Sequence, residues 1–512
     1  MYKLKKVLCL LMGVMVLSTS VLSGCGKQET TGKDSTANAS TGAGDKQSLQ
    51  PVNLVWTIGA TKQADHDVVM AEVNKKLKEK LNVTLDLQVF DRSSYESKMT
   101  MMIAAGENFD LCFTSNWLNK FYDNVAKGAY LELDSVIEKN GTNMKKAVPP
   151  SLFDVAKVKG KIYAVPNYQI IYSAMGVFIQ KELVSKYNFD VKNVKTLKDL
   201  EPFLENIKKN EPNLIPYGGE GFAGNMDPYV FNNEGIVSTA STGTIGAPVY
   251  MKIDDKSMKV FARYGTKEDK ENMEFFRDWF NKGYIRKDVV TVTDVTQDSL
   301  NNKYAVITGA TKPGAEAEMA LKYKKEYTMV PIQTPYISAM SGIQTMTAIN
   351  KNSKNPDRAM MLIDLVYTDK DVFNTLIFGM ENTHYTKVSQ NEVKVPDDSK
   401  YKMGNMAWML GNQFNAYYMN GQKPGTWEET DKINKEAKVS IIRGFTFDPE
   451  PVKNELAQIT SVNKEFDKMM YNPDFERMYN SWLEKLNKAG IQKVVDETQR
   501  QIDEWAKANG KK

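Results

Sequence analysis

Between Val52 and Asp369 two periodicities take turns along the chain, and that alternation constrains the fold more than any other feature. "VNLVWTIGA" (Val52 to Ala60) reads as a buried strand. "DHDVVMAEVNKKLKEKL" (Asp65 to Leu81) reads as an amphipathic helix with Val68, Val69, Val73 and Leu77 on one face. "VTLDLQVF" (Val83 to Phe90) alternates as a strand, and "SSYESKMTMMIAAGE" (Ser93 to Glu107) is a helix capped by Ser93 and closed at Gly106. "FDLCFTS" is a third strand. Past a break, "GVFIQKELVSKYNFD" runs from strand to helix, "TLKDLEPFLENIKKNEP" is a capped helix, and "KYAVITG" and "YTMVPIQT" are strands. "NPDRAMMLIDLVYTD" is a helix with Pro356 in its first turn. Strands alternating with helices of this length build βαβ units around a mainly parallel sheet, so the chain is α/β. From Tyr401 onward the signals are mostly helical.

The front end is of another kind. Lys3, Lys5 and Lys6 precede the apolar run "VLCLLMGVMVL" (Val7 to Leu17), too short for the roughly 20 residues of a membrane span. This is the pattern of a secretory signal peptide over residues 1–24. Leu22-Ser23-Gly24-Cys25 resembles the lipobox of bacterial lipoproteins, which implies cleavage before Cys25 and a diacylglycerol on its sulfur. Several buried acyl chains, at about 0.8 kcal/mol per methylene, hold a protein on a bilayer. Residues 25–50 carry no large apolar side chain except Leu49 and read as a flexible tether. The expected location is the cell membrane, lipid-anchored, facing the extracellular side or the periplasm.

Composition then excludes classes of partner. The three lysines of residues 1–24 leave 64 of the 67 basic residues against 63 acidic ones, a net charge near +1 with no basic block, so nucleic acid is not an expected partner. With Cys9 in the leader and Cys25 lipidated, Cys112 is the remaining thiol, and no disulfide forms within the chain. The fold must stand on its core alone.

Several segments resemble the family 1 extracellular solute-binding proteins of ABC importers. "AAGENFDLCFTSNW" (Ala104 to Trp117) resembles the family's small-residue, Gly, acidic, then Asp-hydrophobic strand. "AKGAYLELDSVI" resembles its Gly-x-hydrophobic-x-x-Leu helix entry, "GKIYAVPN" its crossing strand, and "NPDRAMMLIDLV" its post-hinge helix. "FGMENTHY" and "GFTFDPEPVKNELAQI" resemble the C-terminal region of a lipoprotein subgroup with LplA-like names. The resemblance implies a two-lobe periplasmic-binding-protein-like fold with crossing hinge strands and a helical C-terminal region. It implies one lobe over 51–165 plus about 302–347, and another over 175–298 plus about 350–512. The implied role is capture of an oligosaccharide and its delivery to ABC permease subunits, by a monomer without cofactor or metal.

Sugars need flat aromatics for their apolar faces and planar polar groups for their hydroxyls, and clefts lie at the carboxyl ends of strands. "TSNW" puts Asn116 and Trp117 after the third strand, with Trp117 either a ring shelf or an anchor for the next helix. "PNYQIIY" puts Tyr168, Gln169 and Tyr172 at the first crossing, where core tyrosine is the other reading. "YGGEGFAGNMDPYVFNNEG" (Tyr217 to Gly235) carries Glu220, Phe222, Asp227 and Tyr229 among five glycines, as a ligand loop or an ordinary surface loop. Its "GEGFAG" fits G-x-G-x-x-G, but Asn225-Met226-Asp227-Pro228 follows where a helix should start, so a dinucleotide site is rejected. Trp408 and Asn412 stand one helical turn apart, and "MENTHY" offers Glu381.

Two other classes compete. The chain has His66 and His384 but neither an H-E-x-x-H zinc motif nor a G-x-S-x-G elbow. A surface-anchored carbohydrate-active enzyme needs only two carboxylates roughly 5 to 10 Å apart, a distance no sequence shows. A ligand-binding partner of a membrane sensor would use the same cleft as an importer's receptor.

Overall fold

The computed structural model describes residues 49–219, 233–236, 247–253, 255–292, 295–419 and 421–511. The expected signal peptide, Cys25 and nearly all of the tether lie outside them.

Strand Val52–Gly59 buries Leu54, Trp56 and Ile58 and pairs in parallel with Val83–Phe90, from Val52 opposite Val83 to Gly59 opposite Phe90. The linking helix, His66–Leu81, buries Val69, Val73 and Leu77 at successive four-residue steps. Val68, expected on that face, is 54% exposed: it stands one residue, or 100°, round from Val69. The next helix is Arg92–Ala105, so Ser93 lies inside it rather than capping it, and Asp91 precedes it. It ends as expected at Gly106, whose φ of 64° costs glycine nothing. Strand Leu111–Thr114 adds in parallel on the far side of Val52–Gly59.

The first sheet is completed by one strand of opposite sense and, beyond it, one of the original sense. In order, it runs Val83–Phe90, Val52–Gly59, Leu111–Thr114, Met346–Ile349 and Val165–Pro166. Met346–Ile349 lies antiparallel to Leu111–Thr114. The second sheet runs Tyr327–Pro331, Met175–Gln180, Tyr304–Ala310 and Ile215–Gly218. Its central Met175–Gln180 is antiparallel to both neighbours and only Tyr304–Ala310 with Ile215–Gly218 is parallel, so the mainly parallel pairing expected holds in the first sheet's Val83–Phe90, Val52–Gly59 and Leu111–Thr114 but not in the second sheet.

Each sheet anchors its own core, and the two cores are the two lobes. The first contains Leu54, Trp56, Phe113, Leu362 and Leu410; the second contains Val177, Trp279, Trp482 and Ile502. The chain passes between them three times, near residues 167–174, 332–345 and 437–441. Ser173 bridges Tyr336 antiparallel, and Tyr336–Ile337 pairs in parallel with Lys438–Val439, so the three crossings lie side by side.

The partition differs from the expected one. The segment 302–347 was expected in the first lobe, but Tyr304–Ala310 and Tyr327–Pro331 pair with Met175–Gln180 in the second sheet. Conversely, helices Pro356–Thr368 and Lys370–Phe378 pack in the first core, where the second was expected. An apolar run announces a buried strand without announcing which sheet supplies its hydrogen bonds. The terminal helices Phe475–Lys488 and Ile491–Ala508 lie on the second core, through Trp482, Val494 and Ile502.

Candidate functional site

The first sheet's parallel strands Val83–Phe90, Val52–Gly59 and Leu111–Thr114 direct their carboxyl ends to one edge, and side chains from three distant segments meet there. Strand Leu111–Thr114 ends in a turn held by Ser115, whose Oγ accepts the backbone N–H groups of Trp117 at 3.2 Å and Leu118 at 2.8 Å. Asn116 is exposed and donates its backbone N–H to the Ile343 carbonyl at 3.1 Å. The turn throws Trp117 outward, 42% exposed, with its indole N–H on the Gln344 carbonyl at 2.8 Å. Trp408 comes from the 3-10 helix Met403–Met409 and donates its indole N–H to the Asn405 carbonyl at 3.1 Å.

The two indoles lie 6.3 Å apart, inclined at 44°. Phe113 backs both, edge-on, at 6.0 and 6.3 Å. The guanidinium carbon of Arg92, after the end of strand Val83–Phe90, lies 5.5 Å from one indole and 5.6 Å from the other. A partly exposed aromatic pair, with its N–H groups spent on carbonyls and a cation at its border, offers ring faces and one free polar head.

Trp408 also borders a cavity of about 560 Å³, within the range of ligand pockets. Gln413, Tyr417 and Trp427, on segments packed against the first core, share its lining. Across from them stand Lys312, Glu318 and Leu321, in and beside helix Ala315–Tyr323, which packs with Phe178, Tyr304 and Tyr327 of the second sheet. Lys312 and Glu318 form a 2.9 Å ion pair. A smaller recess of about 230 Å³, toward Tyr401 and Lys402, shares Phe378, Leu321 and Asn405 with it. Both lobes therefore wall the groove, as bridging by a ligand requires.

The other expected residues take different stations. Tyr168 and Tyr172 are buried in the first core, at 5% and 7% exposure, and present no ring face to solvent. The Tyr168 hydroxyl donates to the Asp431 carboxylate; burial, then that carboxylate, hold its phenol well above the usual range. Gln169 donates its side-chain N–H to Thr345 Oγ1 at 2.9 Å, and its carbonyl accepts from the Asn434 amide at 2.8 Å. The bonds to Asp431 and Asn434 staple the first crossing to helix Thr426–Glu436, and the bond to Thr345 ties it to the second crossing. Asn412 is not one helical turn from Trp408, because the 3-10 helix stops at Met409 and Leu410 is extended. Asn412 instead caps the next 3-10 turn, its Oδ1 accepting the Phe414 N–H at 3.1 Å.

Glu381 is exposed and paired to Lys387 at 3.2 Å; the Lys387 ammonium lies 5.8 Å from the Tyr417 ring of the groove. His384 is buried, its Nδ1 accepting the Met380 N–H at 3.0 Å and its Nε2 3.3 Å from Asp65. Among the described residues no cluster of three or more His, Cys, Asp or Glu side chains could hold a metal ion. Glu220, Phe222, Asp227 and Tyr229 lie outside the described residues.

Sequence reasoning missed Arg92, Phe113 and Trp427. Arg92 follows the end of a strand just as Trp117 does, so the rule that found one would have found the other.

Comparison with known proteins places this architecture. Residues 60–372 match the family described as bacterial extracellular solute-binding protein, and residues 441–507 match a domain of unknown function, DUF3502. A carbohydrate ABC transporter substrate-binding protein of Streptococcus pneumoniae serotype 4 (strain ATCC BAA-334 / TIGR4) is 30% identical over 476 residues, 91% of this chain and 92% of that protein. The crystal structure of the N-glycan transport solute binding protein NgtS from Streptococcus pneumoniae is similar at a TM-score of 0.79 and 28% identity, covering 90% of this chain and 99% of that one. The same protein in complex with Man5GlcNAc is similar at a TM-score of 0.64, with the same identity and coverage.

Proposed function

The chain belongs to the bacterial extracellular solute-binding proteins, and from that premise we propose that it captures an oligosaccharide between its lobes and delivers it to an ABC-type permease. The observation that carries this reading is a groove walled by both lobes and bordered by Trp408, whose indole lies 6.3 Å from that of Trp117. Pyranose rings expose C–H faces that pack on indoles, while their hydroxyls take up groups such as Gln413, Asn405 and the Lys312–Glu318 pair along the groove.

Binding works by differential affinity. A ligand touching one wall gains the second wall only when the lobes approach, so it favours the closed arrangement by the free energy of those added contacts.

The anchor belongs to the same proposal. Diacylglycerol on Cys25 and the tether behind it would keep the binding unit near the permease at high effective concentration. Cys25→Ser is expected to release the protein into the medium, read by fractionation; continued membrane retention contradicts the anchor. The direct test of function is titration calorimetry with Man5GlcNAc and a panel of oligosaccharides, with product analysis of each mixture. Binding without turnover is the expected result; cleavage would favour the enzyme reading.

A further inference from the structure

The hinge contains a buried carboxylate that the binding reading has not used. Glu234 lies on strand Asn233–Gly235, which pairs with Val249–Lys252 in a three-stranded sheet whose Val249, Met251 and Val260 belong to the second core. The residue is 5% exposed. Its Oε2 accepts the Tyr336 hydroxyl and the Ser440 hydroxyl, each at 2.6 Å, and its Oε1 accepts the Ala339 backbone N–H at 2.5 Å. Tyr336 and Ala339 lie on the second crossing and Ser440 on the third. Tyr336 also exchanges backbone hydrogen bonds with Ser173 of the first crossing, at 2.8 and 2.9 Å. A single carboxylate fixed to the second lobe thus gathers the second and third crossings directly, and the first through Tyr336.

The charges around it fit that role. Arg443, just past the third crossing, attracts Glu234 and donates to the carbonyls of Ser338 at 3.1 Å and Ser151 at 3.3 Å, the latter in the first-lobe helix Pro150–Val155. Burial holds the Glu234 carboxyl above its ordinary range, against the pull of its three donors and of Arg443. Charge-assisted bonds to a buried carboxylate are the strong kind, and losing the acceptor strands each donor.

We propose that Glu234 is the positioning residue of the hinge: it ties the crossings to the second lobe so that closure brings the two walls of the groove into register. Without it the lobes sample a wider range of angles, and the fraction poised to close falls, which lowers apparent affinity in proportion. This rests on the proposed oligosaccharide-binding function.

The test uses Glu234→Gln, which keeps the shape, together with Tyr336→Phe and Ser440→Ala, which each delete one hydroxyl. Spin labels at Ser97→Cys and Ser185→Cys report the distance between lobes, and labels at Ser185→Cys and Ser257→Cys report the second lobe alone; buried Cys112 does not compete for label. The expected result is a broader interlobe distribution without ligand, an unchanged second-lobe distribution, and affinity for Man5GlcNAc weaker by about tenfold in Glu234→Gln and by less in the hydroxyl deletions. Interlobe distributions and affinities like those of the parent in all three variants overturn the proposal. So does broadening of the second-lobe pair to the same degree, which would mean local loosening. If Glu234→Gln does not fold, the hydroxyl deletions decide. If the parent protein binds no glycan at all, the oligosaccharide reading falls, and the ligand-free distributions still decide the role of Glu234.

Discussion

Trp408 borders the groove and Trp117 lies beside it, and the contact between their rings makes them a coupled pair. Trp408→Ala or Trp117→Ala is expected to weaken oligosaccharide binding by about 1–2 kcal/mol for a lost aromatic stack, measured by calorimetry. Because the rings are 6.3 Å apart, the double variant should lose less than the two single losses added. Cys112 makes a different residue-scale prediction. It is wholly buried, and burial pushes its thiol up to about 12, so the thiolate that reacts is scarce at neutral pH. Iodoacetamide at pH 8 should leave it unmodified in the native protein and alkylate it in urea; rapid native labelling would contradict its placement. Side-chain positions were legible at one strand end, where Trp117 stands exposed just after Leu111–Thr114. They were illegible where contact crosses the chain: nothing near Trp408 announces Trp117, and the helical spacing read into Trp408 and Asn412 dissolves because Met403–Met409 is a 3-10 turn that ends between them.

Elements were legible wherever one face is buried and the other wet. Helix Ile491–Ala508 buries Val494, Thr498 and Ile502 at four-residue steps, and Thr498 returns its hydroxyl to the Val494 carbonyl at 2.6 Å. Ile502→Ala should destabilise the fold by about 2–5 kcal/mol, read by denaturant unfolding, since the side chain is fully enclosed and the site cannot collapse freely. A loss below about 1 kcal/mol, the scale of a surface site, would show that the helix is not core to the second lobe. Sheet membership was the part of the elements that pattern could not reach. Tyr304–Ala310 and Met346–Ile349 are both apolar strands, yet they join different sheets. Their hydrogen-bond partners lie far off in sequence, and each segment's own pattern is satisfied by either sheet.

At the scale of the whole molecule, two cores joined by three adjacent crossings make a body whose softest coordinate is the angle between lobes. Both lobes line the groove, so a ligand that fills it must pull on that angle. The two-lobe architecture was legible from the resemblance of "AAGENFDLCFTSNW" and "GKIYAVPN" to family segments, while the partition of residues between lobes was set by long-range pairing that such segments do not carry. The measurement that tests the central claim most directly is small-angle X-ray scattering of the protein with and without an oligosaccharide shown by calorimetry to bind. The account predicts that the radius of gyration falls on saturation and returns when the ligand is dialysed away. An unchanged profile at full saturation would contradict it, since the ligand would then occupy one lobe without drawing in the other.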